Sequence, residues 1–305
     1  MNIIFFSNGI FSLNTINELK SSEHHLQAIV TNKDKKSGRG QKLKESVLAK
    51  FAKDNNIPVF KVSDFNNRNF INSLVKLKPE LFITISYRIL PDYIYSIPKY
   101  GSINIHTSIL PEYRGAAPIQ RSLMDGKEYL GLSSFYLNDK IDGGDIINNK
   151  KIMINNKMTY GQAYELLSKK SASFTIETVN NIQNGFTGIK QENNKTTYAK
   201  KINKNDYLIN LDNESKIVHD KIRALTPPGC FIYFNKRKVK LFNTFFVIES
   251  LPVGTFRFKD NKLIIGCKKG SLEVANIQFE GKKVIDSNDF RNMNVNKNLI
   301  FSSIL

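Results

Sequence analysis

The opening of the chain constrains the fold more than any other stretch. Residues 2–6 form a mainly apolar run that predicts a buried parallel strand, residues 7–9 (Ser-Asn-Gly) predict a turn, and residues 10–19 are compatible with a helix. A second apolar run at residues 26–30 predicts the next strand. Strand, turn, helix and strand in this order form a βαβ unit, so we expect a Rossmann-like, mostly parallel α/β sheet. The turn lacks the G-x-G-x-x-G pattern, which argues against a dinucleotide.

The same alternation continues along the chain. Strands are predicted over residues 58–62, 81–86 and 149–154, and helices over residues 45–55, 67–77 and 159–184. Residues 31–44 are basic, contain glycine and have no apolar period, which predicts an exposed loop. The exit of strand 81–86 is expected at the carboxyl end of the sheet, where open α/β folds bind their ligands.

The composition changes after residue 190. Residues 191–205 are polar and lysine-rich, which favours a linker. After a helix predicted at 217–225, short β-like runs separated by turns follow at 231–234, 239–247, 254–258, 263–267 and 272–279. Short strands at this spacing predict a small β-barrel of the oligonucleotide-binding (OB) type. We therefore predict an α/β domain at 1–188, a basic linker at 189–205 and an OB-like domain at 206–305.

Composition narrows the class of protein. With 305 residues and 41% apolar content, the chain can bury the cores of two domains. It has no run of eighteen apolar residues and no basic-then-hydrophobic start, so we expect neither a membrane span nor a secretory signal. Two cysteines, Cys230 and Cys267, suit a reducing cytoplasm, and no Cys/His cluster has zinc spacing. We expect a cytoplasmic monomer without a metal.

The net charge of +18 predicts a polyanionic partner. Nucleic acid is a better candidate than a membrane surface. The alternative is compositional: A/T-rich coding would itself favour the abundant Lys, Asn and Ile.

The chemistry is concentrated in residues 102–120, SINIHTSILPEYRGAAPIQ. Side chains alternate across a strand, so Asn104 and His106 point to one side, at a strand end where prolines and glycine force a turn. An amide and an imidazole together can stabilise an oxyanion, since both donate hydrogen bonds. Taken alone, the pattern is more often that of a strand that ends in polar residues.

A second run, Asp139 to Asp145 (DKIDGGD), supplies a carboxylate. Gly143 and Gly144 permit a tight loop after the apolar run 132–137, so Asp142 can be aimed at another group. A carboxylate near His106 would favour the protonated imidazole and hold its orientation. Taken alone, D-G-G is also an ordinary turn.

Together these residues resemble the formyltransferases that use 10-formyltetrahydrofolate, which carry Asn-x-His at a strand end and a later Leu/Ile-Asp-x-Gly loop. Three further stretches are similar to methionyl-tRNA formyltransferases: 110–120 (LPEYRGAAPIQ), 38–43 (GRGQKL, with Gln41 in place of a lysine) and 277–283 (IQFEGKK). Residues 7–9 depart from that family, which usually has Gly-Thr-Pro there.

The resemblance implies a site and its ligands. Asn104, His106 and Asp142 would be catalytic, 10-formyltetrahydrofolate the formyl donor, and initiator methionyl-tRNA the partner, with no metal. The residues implied to bind the folate are Arg88, Ile89, Leu90, Ser108, Leu110, Pro111, Leu137, Asp139 and Ile141. Those implied to bind tRNA are Arg39, Lys42, Lys36, Lys236, Lys238 and Lys282.

Two alternatives remain. A formyltransferase acting on a nucleotide-linked amino sugar would share the three catalytic residues but would not need the Arg39 loop or a basic barrel. A non-catalytic RNA-binding protein with a formyltransferase-like domain would not need Asn104, His106 and Asp142. An assay with charged initiator tRNA and with amino-sugar nucleotides separates the three.

Overall fold

The computed structural model describes residues 1–37, 42–293 and 298–304, which form two compact units. The first unit comprises Met1–Gly115, Gly131–Ile152 and Tyr164–Tyr198. The second comprises Ala116–Leu130, Met153–Ala163 and Ala199–Leu305. Each unit is therefore built from three separate segments of the chain.

The first part of the chain follows the predicted alternation of strands and helices. In order, the elements are β1 (Asn2–Ser7), α1 (Leu13–Ser21), β2 (His25–Asn32), β3 (Lys35–Ser37), β4 (Lys42–Lys44), α2 (Val47–Asp54), β5 (Val59–Val62), α3 (Arg68–Lys76), β6 (Leu81–Ile85), α4 (Asp92–Tyr95), β7 (Ser102–His106), β8 (Arg114–Gly115), α5 (Pro118–Met124), β9 (Tyr129–Tyr136), β10 (Ile146–Met153) and α6 (Tyr160–Gln183).

The sheet of the first unit has the order β10-β9-β7-β6-β1-β2-β5. Neighbours from β7 to β5 pair in parallel, whereas β9 runs antiparallel to β7. Ile3, Phe5 and Phe82 are fully buried, because a central parallel strand is covered on both faces. The Rossmann-like α/β prediction is confirmed. The chain leaves β1 toward β2 and β5 and returns at β6, so the topological switch point lies beside β1.

The described residues on either side of 38–41 differ from the predicted loop. β2 extends to Asn32, and β3 pairs antiparallel with β4, with Lys36 opposite Leu43 and Ser37 opposite Lys42. Because the backbone alone makes these ladder bonds, apolar alternation is not needed and hydropathy does not indicate the hairpin.

The second unit contains α5 and most of the C-terminal part of the chain. Its further elements are α7 (Ser215–Ala224), β12 (Phe231–Phe234), β13 (Arg237–Val247), β14 (Phe256–Lys259), β15 (Lys262–Gly266), β16 (Ser271–Phe279), β17 (Val284–Asp286), α8 (Ser287–Asn292) and β18 (Phe301–Ser302), after a short β11 (Tyr198–Ala199). The antiparallel sheet has the order β14-β15-β16-β13-β12-β18, with β17 paired to β16. Its core includes Val218, Leu241 and Ile277.

This curled antiparallel sheet is a half-barrel, which confirms the predicted fold class for the C-terminal part. No strand pairing between β14 and β18 closes it within the described residues. None of the described helices combines the length and apolar character needed to cross a membrane.

The segment predicted to be a linker, residues 189–205, is in part hydrogen-bonded to the first unit. Thr197 accepts a hydrogen bond at its hydroxyl from the Tyr113 N–H (2.8 Å) and at its carbonyl from the Arg114 N–H (2.9 Å). Its neighbours form short 3-10 turns at Asn193–Lys195 and Lys204–Tyr207. Residues 191–197 are thus part of the first unit although their composition is that of a linker. The predicted domain boundaries stay a prediction.

Candidate active site

A cleft of about 140 Å³ lies at the carboxyl ends of β6 and β7 in the first unit. This is the edge of the sheet at which ligands bind in open α/β folds. The residues that line the cleft are Thr84, Tyr87, Arg88, Ile89, Leu90, Tyr95, Asn104, Leu137, Asn138, Asp139, Lys140, Ile141 and Asp142. The cleft therefore brings together two of the three predicted catalytic residues and most of the predicted folate contacts.

Asn104 is oriented by the strand beside it. Thr84 stands opposite Asn104 in the parallel register of β6 and β7, and its hydroxyl donates to the Asn104 Oδ1 at 2.8 Å. The same hydroxyl also lies 3.0 Å from the Ile103 carbonyl. Because Oδ1 accepts this bond, the Asn104 Nδ2 is the end of the amide that remains to donate to a ligand in the cleft.

His106 is buried, and its two ring nitrogens face different partners. Nε2 lies 2.9 Å from the Tyr113 carbonyl, which can only accept, so Nε2 carries a proton. Nδ1 faces the Asp142 Oδ2 at 3.8 Å, too far for a direct hydrogen bond. Nδ1 is therefore the ring nitrogen that faces the carboxylate and is left for a ligand.

Asp142 is held in a left-handed backbone conformation, with φ of 48°. Its Oδ2 accepts a hydrogen bond of 2.8 Å from the Gly115 N–H. This bond holds the carboxylate against β8, the strand that follows His106 in the chain. Gly144 is required in this loop, because a Cβ there would overlap the Tyr136 carbonyl oxygen. The predicted Asp142 loop thus depends on Gly144 for space.

Arg88 lies on the wall of the cleft, but its guanidinium is engaged elsewhere. Its Nη1 and Nη2 donate to the carbonyls of Ser63 (2.6 Å) and Val62 (3.2 Å), and the guanidinium stacks 3.9 Å from the Phe65 ring centroid. The side chain therefore holds the cleft wall in place. Beside it, burial raises the pKa of Tyr87, so this phenol stays neutral.

Three predicted folate contacts are not among the residues that line the cleft: Ser108, Leu110 and Pro111. Ser108 is buried, and its hydroxyl donates to the Glu112 carbonyl at 2.7 Å. The Leu110 N–H donates to the Ser133 hydroxyl at 2.9 Å. These bonds hold the turn that carries the chain from His106 to Tyr113.

The predicted tRNA contacts of the second unit lie at one end of its sheet. Lys236 is in the β12–β13 turn, Lys238 is in β13, and Lys282 is in the β16–β17 turn, with the Glu280 N–H bonded to the Lys238 carbonyl at 3.1 Å. We name as the basic cluster Lys236, Arg237, Lys238, Lys240, Lys282 and Lys283.

The other predicted tRNA contacts belong to the N-terminal hairpin. Lys36 lies on β3 and Lys42 on β4. Arg39 and Gln41 lie outside the described residues. The turn at residues 7–9, which differs from the family's usual Gly-Thr-Pro, also makes a contact: the Asn8 Oδ1 accepts from the Asn32 N–H at 2.9 Å. Asn8 thus connects the carboxyl ends of β1 and β2.

Sequence reasoning missed three residues that shape the site. Thr84 could have been found from the sequence, because it is a polar residue inside the apolar run of β6. In the structure it lies next to Asn104 in the register. Arg114 and Gln191 support the Asp142 loop through contacts distant in sequence, which no local pattern indicates. Within the described residues no group of three or more His, Cys, Asp or Glu side chains could hold a metal ion.

Family comparisons agree with this geometry. Residues 1–179 match the family model described as formyl transferase, and residues 201–294 match that of the formyl transferase C-terminal domain. The fold and the site thus define a formyl transferase. A methionyl-tRNA formyltransferase of Syntrophomonas wolfei is 31% identical over 297 residues, covering 95% of each chain. The chain belongs to the methionyl-tRNA formyltransferase family, and it is a formyl-transferring enzyme.

Solved structures share the fold. A methionyl-tRNA formyltransferase from Clostridium thermocellum has a TM-score of 0.57 and 18% identity, covering 90% of this chain and 98% of its own. WlaRD, a sugar 3N-formyl transferase solved in the presence of dTDP and 5-N-formyl-THF, has a TM-score of 0.68 and 22% identity, covering 93% and 99%. At these identities the likeness concerns the fold alone.

Proposed function

We propose that this enzyme transfers the formyl group of 10-formyltetrahydrofolate to the α-amine of methionine on charged initiator tRNA. The observation that carries the proposal is the meeting of three groups at the carboxyl end of β7. They are the Asn104 amide turned by Thr84, the His106 Nδ1, and the Asp142 carboxylate 3.8 Å from that nitrogen. An amide and an imidazolium beside a carboxylate suit acyl transfer between two nitrogens.

The reaction needs charge stabilisation and one proton transfer. The methionyl amine attacks the formyl carbon, and a C–N bond forms as the carbonyl oxygen becomes an oxyanion. The Asn104 Nδ2 and the protonated His106 Nδ1 donate to that oxyanion. Asp142 takes the proton of the attacking amine and delivers it to the departing folate nitrogen as the second C–N bond breaks. The products are the formylated amine and tetrahydrofolate.

The cleft suits one end of the folate. Its volume of about 140 Å³ is below the 300–1,000 Å³ typical of pockets that enclose a whole ligand, so it would admit the ring end only. Ile89 and Ile141 on its rim are 77% and 61% exposed, and they offer apolar contacts to a flat ring. The Arg88–Leu90 and Leu137–Asp142 segments would then face the pteridine.

The tRNA is assigned to the basic surfaces. The basic cluster of the second unit would neutralise phosphates and supply affinity that depends on salt. Arg39, in the sequence between β3 and β4, would place the methionyl amine. An enzyme with this acceptor acts in the cytoplasm, and we propose that it acts as a monomer.

One assay tests the acceptor. Purified enzyme is given 10-formyltetrahydrofolate with charged initiator tRNA, uncharged tRNA, or a nucleotide-linked amino sugar, and the formylated product is measured by mass spectrometry. We expect product with the charged tRNA alone. Formylation of the amino sugar without that of methionyl-tRNA would replace this proposal by the sugar alternative. No product with either acceptor would favour the non-catalytic alternative.

A further inference from the structure

Gln191 lies in the segment interpreted from sequence as a linker, yet its side chain makes four hydrogen bonds inside the first unit. The Nε2 donates to the carbonyls of Asp142 (2.9 Å) and Gly144 (2.7 Å). The Oε1 accepts from the Nε (3.1 Å) and Nη2 (2.6 Å) of Arg114. Both donors and both lone pairs of the carboxamide are therefore used.

The partners require a carboxamide at this position. Arg114 can only donate, so the group that faces it must accept, and the two loop carbonyls can only accept, so the group that faces them must donate. A carboxylate would set an oxygen against two carbonyl oxygens, and an aliphatic side chain would leave the buried guanidinium without these acceptors. Arg114 is 5% exposed, and its Nη2 also donates to the Asn193 Oδ1 at 3.2 Å.

The loop that Gln191 grips is the one that carries Asp142. Asp142, with φ of 48°, lies in the left-handed region that few non-glycine residues adopt, and contacts from outside the loop hold it there. Gln191 binds the carbonyl of Asp142 itself and that of Gly144, two residues further on. Strand β8 adds a further hydrogen bond to this loop, from the Gly115 N–H to the Asp142 carboxylate.

We propose that Gln191, aligned by Arg114, is a positioning residue that holds the Asp142 carboxylate beside the His106 Nδ1. This inference rests on the proposed function, which gives Asp142 its part in proton transfer. Gln191 does not line the cleft, so it acts on turnover through Asp142 and not by touching either substrate.

A double-mutant cycle in the full-length enzyme tests the proposal. Gln191→Leu is compared with wild type, and the same substitution is made in an Asp142→Asn background. We expect Gln191→Leu to lower kcat about a hundredfold in the native background, as a misplaced catalytic group does, with KM values for donor and charged tRNA changed less than about threefold. In the Asp142→Asn background it should lower kcat further by less than about threefold, because the group that it positions has already been removed.

Two variants control the experiment. Glu192→Gln alters an exposed neighbour that pairs with Lys195 at 2.7 Å, and it should keep kcat within about twofold. Gln191→Glu keeps the acceptors for Arg114 but removes the donor to the loop, and it is used if Gln191→Leu does not fold by thermal melting.

The outcomes separate this inference from the proposed function. If Asp142→Asn keeps the wild-type kcat, the proposed role of Asp142 is wrong. If Asp142→Asn lowers kcat but the Gln191 variant that folds does not, the positioning role is overturned while the proposed function stands. Equal effects of Gln191→Leu in the two backgrounds also overturn it, because the side chain would then act independently of Asp142.

Discussion

The hydroxyl of Thr84 donates a 2.8 Å hydrogen bond to the Asn104 Oδ1 across the parallel pair β6 and β7. A flipped Asn104 amide would instead donate to the hydroxyl oxygen, with the hydroxyl proton directed to the Ile103 carbonyl 3.0 Å away, so the observed bond belongs to the orientation in which Nδ2 faces the cleft. In the observed orientation the Thr84 hydroxyl pairs with the amide oxygen and leaves the Nδ2 as the donor toward the cleft.

Thr84→Val should weaken catalysis without removing any predicted catalytic group. The substitution keeps the shape but leaves Oδ1 without its donor, so the amide is free to turn. One hydrogen bond is worth about 1 kcal/mol, which predicts a fall in kcat of about fivefold to tenfold. Thr84→Ser keeps the hydroxyl and should stay near wild type. Steady-state formylation assays check this, and equal kcat for all three proteins would contradict it.

Asn104→Ala, His106→Ala and Asp142→Ala should each lower turnover while tRNA affinity is retained. Each side chain is proposed to act on transition-state charge, where loss of one donor costs about 3 to 4 kcal/mol, or 10²- to 10³-fold. Single-turnover assays and filter binding measure the two properties separately. A His106→Ala enzyme with wild-type turnover would remove His106 from the mechanism.

The fold class, and the strand position of two of the three proposed catalytic residues, could be predicted for a physical reason. Buried parallel strands such as β1 and β6 appear as apolar runs, and the period of two places Asn104 and His106 on one side. The supports of the site could not be predicted. Arg114 and Gln191 are 77 residues apart, and their contact depends on tertiary packing, which leaves no periodic signal. The polar composition of residues 191–197 predicts exposure to solvent, whereas in the structure Gln191 and Thr197 form hydrogen bonds within the first unit.

Acidification should destabilise the second unit through His219. This side chain is 1% exposed, its Nδ1 accepts from the Thr244 hydroxyl at 3.0 Å, and its Nε2 donates to the Asn156 carbonyl at 2.8 Å. Burial lowers the pKa of His219 below its ordinary value of 6.5, so the folded state holds it neutral. The unfolded chain takes up this proton first, and stability therefore decreases as the pH falls below 6.5.

Thermal melting between pH 7.5 and 5 measures this effect in wild type and in His219→Gln. The variant should show a weaker fall of Tm across that range, and His25→Gln, at an exposed histidine, should behave as wild type. An unchanged pH dependence in His219→Gln would show that other groups are responsible.

The two cysteines should be unreactive in the folded enzyme. Burial raises the pKa of both Cys230 and Cys267 to about 12, and the thiolate is the reactive form. Ellman's reagent at pH 8 should therefore find no free thiol in native protein and two after denaturation in guanidinium. Rapid reaction of a native thiol would contradict their burial.

The basic cluster should govern the salt dependence of tRNA binding. Replacing Lys236, Lys238 and Lys282 by alanine should weaken binding and lower the slope of log K against log salt by about 0.9 for each phosphate that is no longer neutralised. The matched control replaces Lys50, Lys53 and Lys76, exposed lysines of α2 and α3, and removes the same charge. Equal slopes for the two triple variants would assign tRNA binding to another surface.

The second unit is built from three separate chain segments, and this affects how it can fold during synthesis on the ribosome. Helix α5, with Ile119 and Leu123 buried, packs on α7, which lies about a hundred residues later in the sequence. At synthesis rates of 5–20 residues per second, α5 is synthesised about 5 to 20 s before α7. Until α7 has been made, the buried face of α5 lacks its partner within its own unit, so the nascent chain carries an apolar face without that partner. An enzyme that serves the start of translation thus completes its own fold only near the end of it.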